Sequence, residues 1–264
     1  MNHSQHIVLS PHYDDAALSC GGLIAQLSAA GAPVVVATLF GGKPNYSRLS
    51  PFAQEIHGRP LAGADPIDQR RAEERAALAL LAAEGRPGDF LDCIYRQDEA
   101  ATRWLYTSEA ALFGPVDLAD DALVQELAHC LAALAPAPSR CVLYAPLAIG
   151  NHVDHQIARR SARLLSDQGY PVWHYEDYPY ISREPAGLAA SLGEPGRWRS
   201  RLVPLSPTDE QRKSAAVLAY ASQLEVLFPG ARAIEERVGA ALRGQALLTG
   251  QGQPAERLWQ ENAR

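Results

Sequence analysis

Short apolar runs alternate with longer segments of helical periodicity, and this alternation limits the chain to a small set of folds. The first run, residues 6–10, ends at Pro11, and the second, residues 33–39, is rich in valine. Between them, Leu18 and Leu27 belong to a set of apolar residues at helical spacing. Continuous apolar strands are typical of parallel sheets that are covered on both faces. Strand, helix and strand in this order predict a βαβ unit.

The same alternation continues to about residue 180. It predicts helices at 68–83, 122–134, 156–165 and 210–226, and strands at 90–94, 141–145 and 172–175. Residues 41–65 are rich in glycine, proline and polar side chains and lack a period, so we expect a long loop there, a candidate lid. The pattern predicts a single-domain α/β protein over residues 1–264, a Rossmann-like sandwich with a mainly parallel central sheet. Active sites of such sheets lie at the carboxyl ends of the strands.

Composition and charge exclude several classes of function. The chain has 264 residues, with 24 basic against 30 acidic side chains and a formal net charge of −6, so it has no overall attraction for nucleic acids or anionic membranes. No apolar run reaches the roughly 18 residues that a membrane span needs. Four cysteines without a C-x-x-C motif predict buried, free thiols in a reducing compartment. We therefore expect a soluble cytoplasmic protein that binds a small molecule; homo-oligomerisation stays open.

Two clusters of polar residues follow predicted strands and carry the chemistry. The first is the segment 10–15, and the second is the segment 151–155. Each places two potential ligands three residues apart. Imidazole nitrogen and carboxylate oxygen are the ligands of catalytic zinc, which keeps three protein ligands and one open position. The candidate groups are His12, Asp14, Asp15, His152 and His155, with Asp154 nearby.

Other interpretations of these residues are weaker. Asp14, Asp15 or Asp154 could cap the helix that follows, but so many converging polar groups without a metal would be costly to bury. Gly21 and Gly22 lie inside a predicted helix and lack the dinucleotide-binding spacing, so close packing against the sheet explains them better. A phosphate-binding loop and a serine-nucleophile elbow are both missing from the sequence.

The motifs in these clusters resemble those of the PIG-L/LmbE-like superfamily of zinc-dependent N-deacetylases. The family signature P-H-x-D-D stands here as residues 11–15, followed by a helix with a double glycine. The second signature, H-x-D-H, stands as residues 152–155. The similarity also includes the arginine-rich helix start at 69–74 and the order of βα units to about residue 180.

This resemblance implies a role for each motif residue. The implied metal ligands, for Zn²⁺ or another divalent ion, are His12, Asp15 and His155. Asp14 corresponds to the general base that activates water. His152 corresponds to the group that stabilises the oxyanion or protonates the leaving amine, and Asp154 could orient it.

The resulting hypothesis is a metal-dependent hydrolase that removes an N-acetyl group from an amino sugar or glycoconjugate. We predict substrate contacts from Asp92, Arg96 and Arg71 (or its neighbour Arg70), which lie near predicted strand ends. Two alternatives remain open. The same metal site could catalyse a hydration or another amide hydrolysis, because fold does not fix function. The chain could also be a non-catalytic metal- or ligand-binding domain.

Overall fold

A seven-stranded sheet forms the centre of the protein in a computed structural model that describes residues 4–57, 65–247 and 254–262. The strands in chain order are β1 (Gln5–Ser10), β2 (Val34–Thr38), β3 (Glu84–Pro87), β4 (Cys141–Pro146), β5 (Val172–Tyr175), β6 (Trp198–Pro204) and β7 (Ala255–Glu261). Across the sheet their order is β3-β2-β1-β4-β5-β7-β6. The first five are parallel, and β7 is antiparallel to both of its neighbours. The prediction of an α/β fold with a mainly parallel sheet is confirmed.

Helices connect the strands and cover both faces of the sheet. They are α1 (Asp15–Ala29), α2 (Pro51–His57), α3 (Pro66–Leu81), α4 (Glu109–Leu112), α5 (Asp121–Leu134), α6 (Val153–Asp167), α7 (Tyr180–Arg183), α8 (Gly187–Leu192), α9 (Pro207–Leu218), α10 (Leu224–Leu227) and α11 (Ile234–Leu247). Within the described ranges, none of these helices has the length and apolarity to cross a membrane.

The alternation of side chains along the strands produces one apolar core on each face of the sheet. On β1, Ile7 and Leu9 pack with residues of α5 and α6. Val8 points to the other face and packs with residues of α1, α3 and α9. Both faces of the central strands are therefore covered, as the continuous apolar runs in the sequence predict.

The third strand and its surroundings differ from the prediction. Residues 90–94 do not form a strand; Cys93–Tyr95 is instead one turn of 3₁₀ helix. Helix α3 ends at Ala82, which adopts the left-handed conformation with φ 55°, and the chain turns directly into β3 beside β2. Gly85 and Pro87 suggest a helix stop in the sequence, but they lie in an exposed edge strand, where proline is tolerated.

Three further predictions need correction, and two strands were not predicted. The long loop contains α2, while residues 58–64 of the candidate lid lie outside the described ranges. The helix predicted at 210–226 begins earlier, at Pro207, behind a capping box, and ends at Leu218; α10 follows as a separate short helix. Strands β6 and β7 lie outside the predicted elements. Of the four free cysteines, Cys130 is exposed rather than buried.

Helix α1 is kinked just before its double glycine, and the close packing at this point explains why glycine is needed. Cys20 has non-helical dihedrals, φ −137° and ψ 28°, and beyond it the N–H of Gly22 donates to Glu256 Oε1 at 2.9 Å. That carboxylate is paired with Lys213 at 2.8 Å. A Cβ atom on Gly22 would lie 2.5 Å from a methyl carbon of Leu205. The glycine thus permits a close approach to β7 and to the segment before α9, which fixes α1 and the acids at its start.

Candidate active site

The two clusters rich in histidine and aspartate meet at one edge of the sheet. Strands β1 and β4 pair in parallel, with Ile7 opposite Leu143, so the segments that follow them leave the sheet at the same edge. The ring centroids of His12 and His152 are 5.1 Å apart, and those of His12 and His155 are 5.6 Å apart. The fold therefore joins two motifs that stand far apart in the chain.

Asp15 lies between the two histidines that we predict as metal ligands. Its Oδ2 atom is 3.2 Å from Nδ1 of His12 and 3.4 Å from Nε2 of His155. One potential ligand atom from each of the three residues lies within 4.8 Å of the others. The same Oδ2 accepts a hydrogen bond of 2.8 Å from the backbone N–H of His12. Two imidazole nitrogens and one carboxylate oxygen suit a divalent transition metal.

The hydrogen bonds of His155 test whether this set fits a metal. Nδ1 donates to Oδ1 of Asp177 at 2.6 Å, so a neutral ring presents a lone pair on Nε2. This buried Nε2 has no hydrogen-bond partner in the described part of the chain. Burial alone would lower the pKa of His155, but Asp15 and Asp177 outweigh it and raise the pKa to about 9. The site thus favours a positive charge at Nε2, which a bound cation would supply. A carboxylate that accepts a hydrogen bond from the other ring nitrogen, as Asp177 does here, is typical of a metal-ligating histidine.

His12 has the same arrangement, with a carboxylate at each nitrogen. Its Nε2 is 3.0 Å from Oδ2 of Asp154, while its Nδ1 faces Asp15. Oδ1 of Asp154 lies 2.6 Å from Nη2 of Arg96. Burial would raise the pKa of Asp154, but the Arg96 guanidinium outweighs it and holds that pKa well below its usual range. Asp154 is therefore the partner of His12, whereas the sequence suggested that it orients His152.

Two further groups of potential ligands share these residues: His12–His152–Asp154 and Asp92–Cys93–Asp154. Both depend on Asp154, whose charge is already balanced by Arg96. Burial also raises the pKa of the Cys93 thiol well above its usual range, which disfavours the thiolate that a metal requires. The set of His12, Asp15 and His155 is the one that fits.

Asp14 is buried beside the three predicted metal ligands, and its carboxylate is not used to cap the helix. It occupies the N-cap position of α1, yet its side chain makes no capping hydrogen bond. Its Oδ1 lies 3.3 Å from Nη2 of Arg70. Burial raises the pKa of Asp14 to about 6, against the opposing effect of Arg70. A carboxyl group that titrates near neutrality suits proton transfer.

His152 is a neutral ring with a fixed tautomer. Its Nδ1 accepts the backbone N–H of Asp154 at 3.3 Å and so caps α6. Burial and the neighbouring His12 lower the pKa of His152 to about 3. The proton of the neutral ring is then on Nε2, which is 4.0 Å from Sγ of Cys93. Such a group can donate a hydrogen bond to an oxygen that gains negative charge.

Of the predicted substrate-binding residues, Asp92 borders the metal set. Its Oδ2 is 3.6 Å from Nε2 of His12, and its side chain is partly exposed. Arg96, by contrast, is buried behind the site, where Nε is 3.0 Å from Oδ2 of Asp120 and Nη2 contacts Asp154. Its placement favours a structural role over contact with substrate.

The two adjacent arginines near the start of α3 contact different partners. Arg71 donates from Nε to the hydroxyl of Tyr13 at 2.8 Å and from Nη2 to the carbonyl of Gly41 at 2.9 Å. It therefore ties the loop after β2 to the motif at the end of β1. Arg70 is the neighbour that faces Asp14, and it is better placed for substrate than Arg71.

Three residues outside the predicted catalytic, metal-binding and substrate-binding set complete the site. Asp177 holds His155, and Tyr180 packs its ring against His155 with centroids 5.6 Å apart. Phe113 contacts the ring of His152 at 5.5 Å. A signal existed for Asp177, because it follows β5 at the same carboxyl edge as the two motifs. Phe113 lies in a connection without periodicity, and the sequence carries no comparable signal for it.

Comparison with known proteins identifies relatives of this chain. The family model described as PIG-L, GlcNAc-PI de-N-acetylase, matches residues 7–165, a range that includes both motifs. The 2'-N-acetylparomamine deacetylase of Niallia circulans is 30% identical over 240 residues, which cover 83% of this chain and 81% of that protein. The enzyme of the same name from Streptomyces fradiae is also 30% identical.

Solved structures give the same result for the fold. The zinc-inhibited form of a teicoplanin deacetylase superimposes with a TM-score of 0.79 at 30% sequence identity, covering 97% of both chains. A complex of the deacetylase with teicoplanin has a TM-score of 0.79 at 29% identity, covering 99% of this chain and 100% of that one. These similarities extend beyond the motifs to nearly the full chain.

Proposed function

The chain belongs to the PIG-L family of deacetylases, and from this premise we propose that it removes the N-acetyl group from an amino sugar within a glycoconjugate. The relatives that resemble it over most of its length are deacetylases. The observation that carries the proposal is the pair of histidines around Asp15, each held by a further carboxylate. This arrangement has no evident structural purpose, since it leaves Nε2 of His155 buried without a hydrogen-bond partner in the described part of the chain.

We propose zinc as the metal, held by His12, Asp15 and His155. When bound there, the metal would supply Lewis-acid activation of water and of the acyl carbonyl. Asp154 and Asp177 orient the two histidines and increase their basicity as ligands. The nitrogen and oxygen donors and their number agree with a catalytic zinc site that keeps a position open.

Asp14 is the proposed general base. It accepts a proton from the attacking water, and the acid that results can pass this proton to the nitrogen of the leaving amine. Arg70, 3.3 Å away, holds the carboxylate toward the site and favours its charged form before the reaction. The products, acetate and a free amine, then balance the water and the amide consumed.

His152 is the proposed donor to the oxyanion. Its Nε2–H is the proposed donor, and the backbone N–H of Asp154 fixes the ring through Nδ1, so the tautomer needs no change during the reaction. Because the ring is neutral, it stabilises negative charge on the former carbonyl oxygen by a hydrogen bond rather than by proton transfer. Asp92, beside His12, is placed to bind a substrate hydroxyl.

We further propose one deacetylase domain and a cytoplasmic location. Support for one domain comes from β7, which pairs with β5 and so joins the C-terminal segment to the sheet of β1. Support for a reducing compartment comes from the four free cysteines.

The test is acetate release by the metal-reconstituted enzyme on N-acetylated sugars and glycoconjugates, with the free amine measured in the same samples. We expect equal amounts of acetate and amine, and their loss in Asp14→Asn. Absence of acetate across the panel would count against the proposal. Addition of water to an activated alkene without acetate release would instead support the hydration alternative.

A further inference from the structure

Two adjoining cavities follow the flank of α6 from the proposed active site. The first, of about 610 Å³, opens beside the backbone of Gly150 and Asn151, directly before His152. The second, of about 310 Å³, lies further along the helix. Both are lined by Arg159 and Arg160, and the two adjoining cavities together are here called the α6 trough. Pockets for small ligands commonly measure about 300–1,000 Å³.

Phe113 forms the boundary between the metal site and the α6 trough. Its ring contacts His152 on one side, and it lines the first cavity on the other. Asn151 fixes this boundary, because its Nδ2 donates to the carbonyl of Phe113 at 2.9 Å while its backbone has a φ of +63°. Left-handed backbone in a residue other than glycine persists where the surroundings enforce it. Phe113 therefore borders both the ring of His152 and the first cavity.

The α6 trough is rich in arginine although the whole chain is acidic. Its lining carries two glutamates, Glu184 and Glu261, against four arginines, Arg159, Arg160, Arg163 and Arg197. Asp121 pairs with Arg160, and Glu261 pairs with both Arg163 and Arg197, so among the described residues Arg159 is the arginine of this lining without a carboxylate partner. A guanidinium has five N–H donors, so an arginine that binds one acid can bind another. From Val153 to Arg163 the helix rises by about 15 Å, which exceeds the size of one sugar ring.

Arg159 contributes most to the electrostatic character of the α6 trough. Its Nη1 donates to the carbonyl of Leu147 at 2.8 Å, and its Nη2 donates to the carbonyl of Ser191 at 2.7 Å. The guanidinium also stacks over Trp198 at 5.3 Å. These partners are neutral, and within the described residues no carboxylate forms an ion pair with Arg159. Its positive charge is thus held rigidly between the two cavities without a paired acid.

We propose that the α6 trough binds the part of the glycoconjugate beyond the N-acetylated sugar, and that this part carries carboxylate or other acidic groups. This inference rests on the proposed deacetylase function and specifies its substrate class. Arginine clusters recognise carboxylate and phosphate through charge-assisted hydrogen bonds. Because the aromatic wall of Phe113 separates the trough from the metal set, the trough contributes to substrate affinity and leaves the chemistry unchanged.

The first experiment tests where the substrate binds. Ala190 lines the first cavity, so Ala190→Trp places a large side chain inside it. Ala189 is its exposed neighbour on α8 outside the lining, and Ala189→Trp is the matched control. For a short glycopeptide bearing N-acetylglucosamine, we expect Ala190→Trp to lower kcat/KM about tenfold, the size of a modest contact loss, mainly through KM. Free N-acetylglucosamine should be deacetylated at the wild-type rate. Equal losses on both substrates, or no loss on either, would overturn the assignment.

The second experiment tests the charge. Three glycopeptides carry glutamate, glutamine or lysine beside the sugar, and we expect kcat/KM to fall in that order, by about tenfold from first to last. High salt should reduce this difference. Arg160→Gln should weaken the preference, whereas Arg199→Gln, an exposed β6 arginine outside the trough, should retain it. Equal rates on all three peptides, with N-acetylglucosamine still cleaved, contradict the trough proposal alone. No acetate from any substrate refutes the deacetylase proposal, and the trough proposal with it.

Discussion

Two arginine–aspartate pairs have nearly the same geometry but lie in opposite environments. In the metal pocket, Arg96 Nη2 is 2.6 Å from Asp154, and the two side chains are 7% and 0% exposed. On the flank of α6, Arg160 Nη2 is 2.5 Å from Asp121, and the two side chains are 46% and 51% exposed. Water screens the second pair and is excluded from the first. Burial, rather than distance, therefore decides which of these two contacts contributes more to stability.

The same contrast separates the two regions in function. In the pocket, each predicted histidine ligand has one carboxylate partner and turns its other nitrogen toward Asp15. On the flank, exposed arginines bind acids that solvent also reaches. Substitutions in the pocket should have large effects on activity or stability, while substitutions on the flank of α6 should have small, graded effects.

The largest expected effect is at Asp14. Replacement by asparagine keeps the shape of the side chain but removes the proton acceptor, so we expect kcat to fall by about 100- to 10,000-fold. Metal content, measured on the same preparation, should stay at the wild-type value because Asp14 is not in the ligand set. Full activity in Asp14→Asn would assign the base elsewhere.

The two ion pairs provide a direct comparison of stability. Arg96→Met leaves the buried charge of Asp154 without its main partner, and we expect a loss of about 3–5 kcal/mol in the free energy of unfolding. Arg160→Met removes an exposed pair of the same length, with an expected change of about 1 kcal/mol or less. Urea denaturation of both variants measures the difference. Similar losses in the two variants would refute the role given to burial.

Glu74, which is buried behind the pocket, predicts that the free energy of unfolding depends on pH. It accepts hydrogen bonds from Thr38 and Tyr220, and burial raises its pKa from 4.5 to about 7 although both bonds oppose the change. The folded state therefore holds this proton more tightly than the unfolded chain. Its contribution to stability is full below pH 4.5 and is lost as the pH rises through about 7.

Between these limits we expect the wild type to lose about 3 kcal/mol of unfolding free energy relative to Glu74→Gln. Denaturation curves of both proteins at a series of pH values measure this difference. A difference that stays constant with pH would show that Glu74 titrates normally.

A smaller effect is expected at Asp177, which would act on the proposed metal only through His155. Asp177→Asn should lower metal affinity or activity by about 10- to 100-fold. The neighbouring Glu176 is also buried but binds Arg257 and Trp259, so Glu176→Gln is the matched control and should retain metal. If the two variants lose metal equally, Asp177 acts on folding rather than on His155.

The sequence was sufficient for the part of the site that local motifs carry. The meeting of the two motifs could be predicted because the strand ends that precede them are visible as apolar runs, and parallel strands end at one edge. The choice of His12, Asp15 and His155 as ligands came from the family resemblance. The same apolar runs predict β1, β2, β4 and β5.

The remaining parts depend on tertiary contacts that leave little local signal. Strand β3 contains glycine and proline and is tolerated because it lies at the edge of the sheet. The partner of Asp154 could not be derived, because it depends on how Arg96 enters the pocket from a turn of 3₁₀ helix. Arg70 and Arg71 are adjacent in sequence, and only their directions from α3 distinguish them.

The most direct test of the central claim is elemental analysis of four purified proteins: the wild type, Asp14→Asn, Asp15→Ala and His155→Ala. The account predicts about one zinc per chain in the wild type and in Asp14→Asn. It predicts loss of that zinc in Asp15→Ala and His155→Ala while both remain folded by circular dichroism. Equal metal content in all four proteins, or none in the wild type even after reconstitution, would contradict it.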